Sequence, residues 1–425
     1  MNIILLSGGS GKRLWPLSND VRSKQFLEVF KRPDGTYESM VQRMSRMINE
    51  VDPDSSVTFA TSGSQVESIR KQLGDKVGIS IEPCRRDTFP AIALSVAYLK
   101  DVMGLPEDEA VVVCPVDPFV EHDYFLKIKE LHALAEKSSS NLVLLGIEPS
   151  SPSEKFGYII PQSKEEISRV ETFKEKPDKA TAEKYIEMGA LWNAGVFSFK
   201  LRYVLDIAKK EFGFCSYDEL FNNYASLRKI SFDYAVVEKE NNIQVVRFSG
   251  KWKDLGTWDS LSNALNYNVS GNVILADSED THVINELKVP VLALGVRNLA
   301  IVTTPDGILV TDKDASDKLK NYVPDGNPMF EKKIWGEYRV IDIQEESDNQ
   351  SYCVKSVTVS SGFQVKSQDC LSCDTTLVFL SGKGTITIDG VASAVMGGQT
   401  REIHKGAKYE IAADSELQLI EIQFG

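Results

Sequence analysis

Residues 110–117 read AVVVCPVD, and every position from Ala110 to Cys114 is apolar. Such a run has no face to show to water. It reads as a strand covered on both sides, the condition of strands in parallel sheets. Similar runs occur at NIILLS (2–7), VTFATS (57–62) and VGISIEP (77–83). Ahead of residues 110–117 lies AIALSVAYLKDV, a helical stretch with Thr88 as its expected N-cap and Pro90 in its first turn. Strand, helix and strand in alternation predict an α/β domain of Rossmann-like type with a mixed, mostly parallel sheet. Ligands of such sheets collect at the carboxyl ends of the strands, where Ser7–Gly9 and Pro115–Asp117 fall.

The pattern changes along the chain. LWNAGVFSF and IQVVRF give further strand signals between residues 180 and 265. After Asn268 come GNVILA, THVINE, VPVLALGV, LAIVTT and GILVTD, short runs at the close spacing of a small β-solenoid or sandwich. From Asn327 onward YCVKSVTVSSG, TLVFLSGKGTITIDG and LQLIEIQF alternate around SGKG and DG turns, as in an antiparallel β-barrel. The expected domains are 1–268, 269–326 and 327–425, a division natural for 425 residues.

Asp and Glu outnumber Lys and Arg by 61 to 48, giving a formal charge of -13. That balance argues against nucleic acid or an anionic membrane as partner. No apolar run is long enough to span a membrane, and the first residues do not read as a signal peptide. Six cysteines over this length do not make a disulfide framework, and the four histidines form no cluster of zinc-ligand spacing. The expected compartment is the cytoplasm.

The most specific local feature is LLSGGSGKRLWPLS at 5–18. A strand ends in Gly8, Gly9, Ser10 and Gly11, then Lys12 and Arg13 follow. Glycines let backbone N–H groups approach a polyphosphate, and a guanidinium adds a bidentate fork. A Walker A loop fails here, because Leu6 stands for its first glycine and Arg13 for its Ser/Thr. The dinucleotide fingerprint fails at Leu14. Lys24 is near enough in sequence to fold over the same phosphates. The bland alternative is a tight turn carrying exposed cations.

GGSGKRLWPLSNDVRSKQFL resembles the signature of the bacterial mannose-1-phosphate guanylyltransferases. IEPCRRDTFPAIAL, PVD, FGYI, FKEKPD, WNAGVFSF, FDYAVVEK and WKDLGTW follow in that family's order, over roughly residues 1–325. The resemblance implies attack by a sugar phosphate oxygen on the α-phosphorus of GTP, giving GDP-mannose and pyrophosphate. It places a divalent cation, Mg2+ or another, on Asp117 and Asp254. It assigns the triphosphate to Leu6, Gly8, Gly9, Ser10, Gly11, Arg13 and Lys24, and the base to Glu82 and Thr88. It assigns the sugar phosphate to Gly157, Glu175, Lys176, Asn193 and Gly195. Against these stand plainer readings: Asp254 as a helix N-cap, Glu175 and Lys176 as an exposed ion pair, Asn193 as a turn residue. The partners implied are GTP and mannose 1-phosphate, with no nucleic acid, no membrane and a homodimer as the candidate assembly.

Departures from the family pattern touch the specificity pockets. Lys12 stands where the family has Thr, Pro118 where it has His, and Asp87-Thr88-Phe89 where it has Asn-Thr-Ala. Another nucleotide or sugar 1-phosphate, or a binding protein without turnover, therefore stays open. FEKKIWGEY, SVTVSSG and FLSGKGTITIDG resemble the cupin-type phosphomannose isomerase domain that longer members carry. Its histidine-rich metal motif is here QDCLSCDTT, in which Gln368 alone is retained and Cys370, Leu371 and Ser372 replace the histidines. No isomerase activity is expected.

Overall fold

The computed structural model describes residues 1–8, 12–19, 22–323, 328–347, 350–366 and 373–425. Gly9, Ser10, Gly11, Gln368, Cys370, Leu371 and Ser372 lie outside that set. The chain forms two compact units, Met1–Ser10 with Ser23–Asn266, and Gly11–Arg22 with Tyr267–Gly425.

In the first unit nine strands form one sheet. They are β1 (Asn2–Leu6), β2 (Ser56–Ser62), β3 (Gly78–Glu82), β4 (Ala110–Pro115), β5 (Leu142–Ile147), β6 (Tyr158–Pro161), β7 (Ile167–Lys174), β8 (Leu191–Lys200) and β9 (Ile243–Phe248). Their order is β3-β2-β1-β4-β8-β5-β9-β7-β6. Pairing is parallel from β3 to β4 and between β5 and β9. It is antiparallel where β8 meets β4 and β5, and where β7 meets β9 and β6. The sheet is thus mixed, with parallel pairing dominant only in its first half. A strand buried on both faces reads as continuously apolar whichever way it runs, so its direction leaves no mark in composition.

Each face of the sheet carries a core. One holds the helix Thr88–Asp101, in which Phe89, Ile92, Leu94, Val96 and Leu99 are essentially inaccessible. Burial of each such side chain contributes about 1.5–3 kcal/mol, and Leu94→Ala would cost about 2–5 kcal/mol. The other packs the helices Met40–Val51 and His122–Lys137. The helix at Thr88 is capped one residue earlier than expected. Asp87, at φ 70°, accepts the Thr88 N–H, while Thr88 Oγ1 accepts from Phe232 N at 2.8 Å.

The second unit begins with parallel rungs. Val269–Ser270, His282–Asn285 and Leu299–Thr304 pair in parallel, as do Val273–Ala276 and Val291–Leu294. Successive parallel strands without crossover helices are the solenoid geometry. After it, a six-stranded and a four-stranded antiparallel sheet enclose one core of Val357, Val359, Leu377, Phe379, Ile386, Ile411, Leu417 and Leu419. Cys373 is disulfide-bonded, whereas Cys84, Cys114, Cys215 and Cys353 are free thiols. Among the described residues no helix is long and apolar enough to cross a membrane.

Candidate active site

β4 ends at Pro115, and the chain turns through Val116 and Asp117 into the short strand Pro118–Val120. That strand pairs antiparallel with Trp252–Asp254, in a register that sets Asp254 opposite Pro118. Two aspartates far apart in the chain thereby border one cavity of about 260 Å³. Gly157, Glu175, Asn193, Gly195 and Asp233 line it too. The N-cap of the following helix is Thr257, bonded to Ser260 N at 3.2 Å, so Asp254 is not the cap. Carboxylate oxygens beside room for phosphate oxygens suit a hard divalent cation.

Lys24 sits on a single 3₁₀ turn, and its Nζ lies 2.7 Å from Asp117 Oδ2. A buried amide network holds this turn. Gln25 Nε2 donates to Ser7 O at 2.7 Å, Gln65 Nε2 to Ser23 Oγ at 2.9 Å, and Thr61 Oγ1 to Gln65 Oε1 at 2.8 Å. Ser7 directly follows β1 and Ser23 is the N-cap of the turn, so the network ties these two flanking positions together. Sequence reading missed it, because isolated Gln and Ser residues carry no periodic signal.

On the opposite wall, Gly157 and Asn193 belong to adjoining strand ends, with Asn193 N donating to Gly157 O at 2.8 Å. Asn193 Oδ1 accepts from Gly195 N at 3.1 Å, and its Nδ2 donates to Asp233 Oδ1 at 2.6 Å. Gly195 is at φ 69°, a conformation few side chains tolerate. Glu175 is buried, with one oxygen 2.5 Å from Lys176 Nζ and Oε2 lacking any hydrogen-bond partner. A Cβ at Gly157 would stand 2.4 Å from that oxygen, so only glycine leaves it open. The Glu175–Lys176 pair is therefore half inside the cavity wall, not a solvated surface pair. Burial, then the Glu175 charge, push the Asp233 carboxyl up to about 6. Asp233 was not singled out in the sequence, since its burial depends on Asn193 from another strand.

Four of the residues expected to hold the nucleotide, Glu82, Gly8, Thr88 and Leu6, lie away from this cavity's lining. Glu82 ends β3 and accepts the Tyr224 hydroxyl at 2.8 Å, and burial pushes its carboxyl up. Gly8 adjoins it, since a Cβ there would be 3.4 Å from Glu82 Oε1. Thr88 is tied to Phe232. Leu6 is the last residue of β1 and accepts Val116 N at 3.2 Å.

Arg13 is exposed on the 3₁₀ turn Lys12–Leu14 of the second compact unit. The residues after it are strapped to the solenoid. Trp15 lies where a Cβ on Gly307 would come within 2.4 Å, and Thr304 Oγ1 donates to Pro16 O at 3.2 Å. Asn19 Nδ2 donates to Asp306 at 3.0 Å, and Arg22 forks onto Glu286 at 2.8 and 2.7 Å.

Among the described residues one group of three possible metal ligands occurs, Glu109, His132 and Glu136, with ligand atoms within 4.8 Å. His132 Nε2 already meets Ala110 O at 3.1 Å, and burial lowers its proton affinity, which marks a core histidine.

The nucleotidyl transferase family matches residues 2–270. The chain belongs to that family. This transferase is similar over 99% of its length to two mannose-1-phosphate guanylyltransferases: that of Salmonella muenchen at 30% identity and that of Salmonella montevideo at 29%, each matched over 95% of its length. The transferase also matches a crystal structure described as mannose-1-phosphate geranyltransferase from Thermus thermophilus. Identity is 28% and the TM-score 0.63, over 75% of this chain and 97% of that one.

Proposed function

We propose that this nucleotidyltransferase transfers the guanylyl group of GTP to mannose 1-phosphate in the cytoplasm. One observation carries the reading: the ladder between Pro118–Val120 and Trp252–Asp254 brings Asp117 and Asp254 to the cavity that also holds the unpartnered Glu175 oxygen. A carboxylate oxygen without a donor accepts a sugar hydroxyl at no cost of a bond already made. Asn193 and Gly195 line the same cavity, and Lys176, paired with Glu175, would contact the phosphate.

Asp117 and Asp254 would hold a divalent cation, which when bound neutralises phosphate charge and polarises the α-phosphoryl group. Lys24 compensates Asp117 in the free protein and is poised to turn to the incoming phosphates. Gly8, Gly9, Ser10 and Gly11 supply backbone donors, and Arg13 a fork, to the triphosphate. Glu82 and Thr88 face the base. An oxygen of the sugar phosphate attacks the α-phosphorus, the bond to the bridging oxygen breaks, and pyrophosphate leaves with that electron pair. Positioning and charge neutralisation do most of the work, since both reactants are polyanions.

Pyrophosphate release from purified protein, with each nucleoside triphosphate against several sugar 1-phosphates, tests the reading. GTP with mannose 1-phosphate should be the best pair. A different best pair transfers the same mechanism to other substrates, and no release with any pair leaves only binding. Mannose 6-phosphate should not be converted to fructose 6-phosphate, because the histidine set that reaction needs is missing from the sequence.

A further inference from the structure

The two-sheet β region of the second unit contains a cavity of about 360 Å³ that the transfer reaction does not use. Its origin is visible in the strand register. Along Gln350–Val359 and Leu417–Phe424, Val359 pairs with Leu417, Val357 with Leu419 and Lys355 with Glu421. On Asp374–Ser381, Phe379 faces Leu419 and Thr375 faces Gln423. The alternate positions that make the core at one end (Val357, Val359, Leu377, Phe379, Leu417, Leu419) are nearly or fully buried. The same rows continue as Lys355, Thr375, Glu421 and Gln423, and these line the cavity.

Interiors of small barrels are ordinarily filled by side chains, and charges on inward rows are expensive. A break in an otherwise consistent pattern is where function is to be sought. The charges left over say what would fill the space. Glu421 already accepts the Tyr409 hydroxyl and the Gln423 amide, the latter at 3.1 Å. Glu331 accepts the Tyr338 hydroxyl at 2.9 Å and pairs with Lys333. Lys366 meets Glu410 at 3.7 Å. Lys355 differs: among the described residues it has no carboxylate within 4.0 Å, and its ammonium lies 5.6 Å from the centre of the Tyr338 ring. The acids are satisfied and one half-buried ammonium is not. Trp335 and Tyr338 add flat apolar surface, and Gln364 an amide.

We propose that this end of the β region binds a small organic anion, with Lys355 taking its phosphate or carboxylate and the aromatic wall its carbon skeleton. The volume is at the lower end of small-molecule sites, so the ligand is one metabolite-sized molecule.

The test is calorimetric titration of the full-length protein. Glucose 6-phosphate and glycerol 3-phosphate form the phosphate arm, gluconate and citrate the carboxylate arm, and glucose is the neutral control. At least one anion should saturate a single site while glucose does not, and the stronger arm identifies the anionic group. Lys355→Met should weaken that binding at least tenfold and leave the melting temperature within a few degrees of wild type, since that ammonium has no carboxylate within 4.0 Å among the described residues. Lys355→Gln serves if the first variant does not fold. Lys366→Met, whose charge is already paired, should change binding less than threefold. Absence of binding to wild type by all four anions at 10 mM overturns the proposal, and so does full affinity in the Lys355 variants.

Discussion

Two cavities of this protein, one in each compact unit, are opposites in what they leave unsatisfied. Around Asp117 and Asp254 the surplus is acceptor: Glu175 Oε2 has no donor, and Asp233 is crowded enough to hold its proton up to about 6. In the β-region cavity the lining carboxylates Glu331 and Glu421 are engaged, and among the described residues the surplus is an ammonium, that of Lys355. The first is suited to hydroxyl groups and a cation, the second to an anion. The larger hollow is the second, so size alone would have pointed to the cavity without the transfer chemistry. Unsatisfied polar groups are the better guide, because each one carries a desolvation cost that a ligand relieves.

The largest expected effect breaks the first cavity's chemistry. Asp254→Asn should lower pyrophosphate release by about a thousandfold, the scale of losing a preorganised electrostatic group, with GTP still bound in equilibrium dialysis. Wild-type turnover in that variant would remove Asp254 from the reaction. Next is Glu175→Gln, which converts one acceptor into a donor. The KM for mannose 1-phosphate should rise about tenfold, near 1.4 kcal/mol, while the KM for GTP stays put. A rise confined to GTP would assign the cavity to the wrong substrate.

A third effect is on stability. The folded pKa of Asp233 lies above its ordinary 3.8, so the native state holds that proton more tightly than the unfolded chain. The native state therefore loses stability as pH rises from about 3.8 to about 6, and carries the whole penalty above that. Asp233→Asn removes the term. Its melting temperature relative to wild type should climb between pH 4 and pH 7, and a difference independent of pH would refute the crowding. The smallest effect concerns the strap after Arg13. Glu286→Ala frees Arg22 from a pair whose side chains are 24% and 27% exposed. Pairs so exposed are worth about 0–1 kcal/mol, so the melting temperature should fall by no more than a few degrees. Reversing both charges, Arg22→Glu with Glu286→Arg, should restore it.

The site was only partly readable in the chain. Apolar runs gave the strands, and the spacing of glycine, arginine and lysine after β1 marked a phosphate loop. What joins Asp117 to Asp254 is a ladder of two three-residue strands, too short for any periodicity to reveal. Asp233 and the Ser7–Gln25–Gln65 network were invisible for a related reason. Their importance comes from burial against partners in other strands, and burial of a polar side chain is a property of the packed molecule.

By itself the sequence determined the order of strand and helix, the change to β structure after Asn268, and the loss of a histidine metal set from the last region. Each is a local or periodic property, set by backbone preference and side-chain type along a few consecutive residues. Tertiary structure decided the mixed direction of the sheet and, among the described residues, which carboxylate oxygen of the first cavity stays without a donor and which lysine of the second has no acid within 4.0 Å. Those depend on distances between residues remote in the chain, and Coulomb and hydrogen-bond energies are set by such distances.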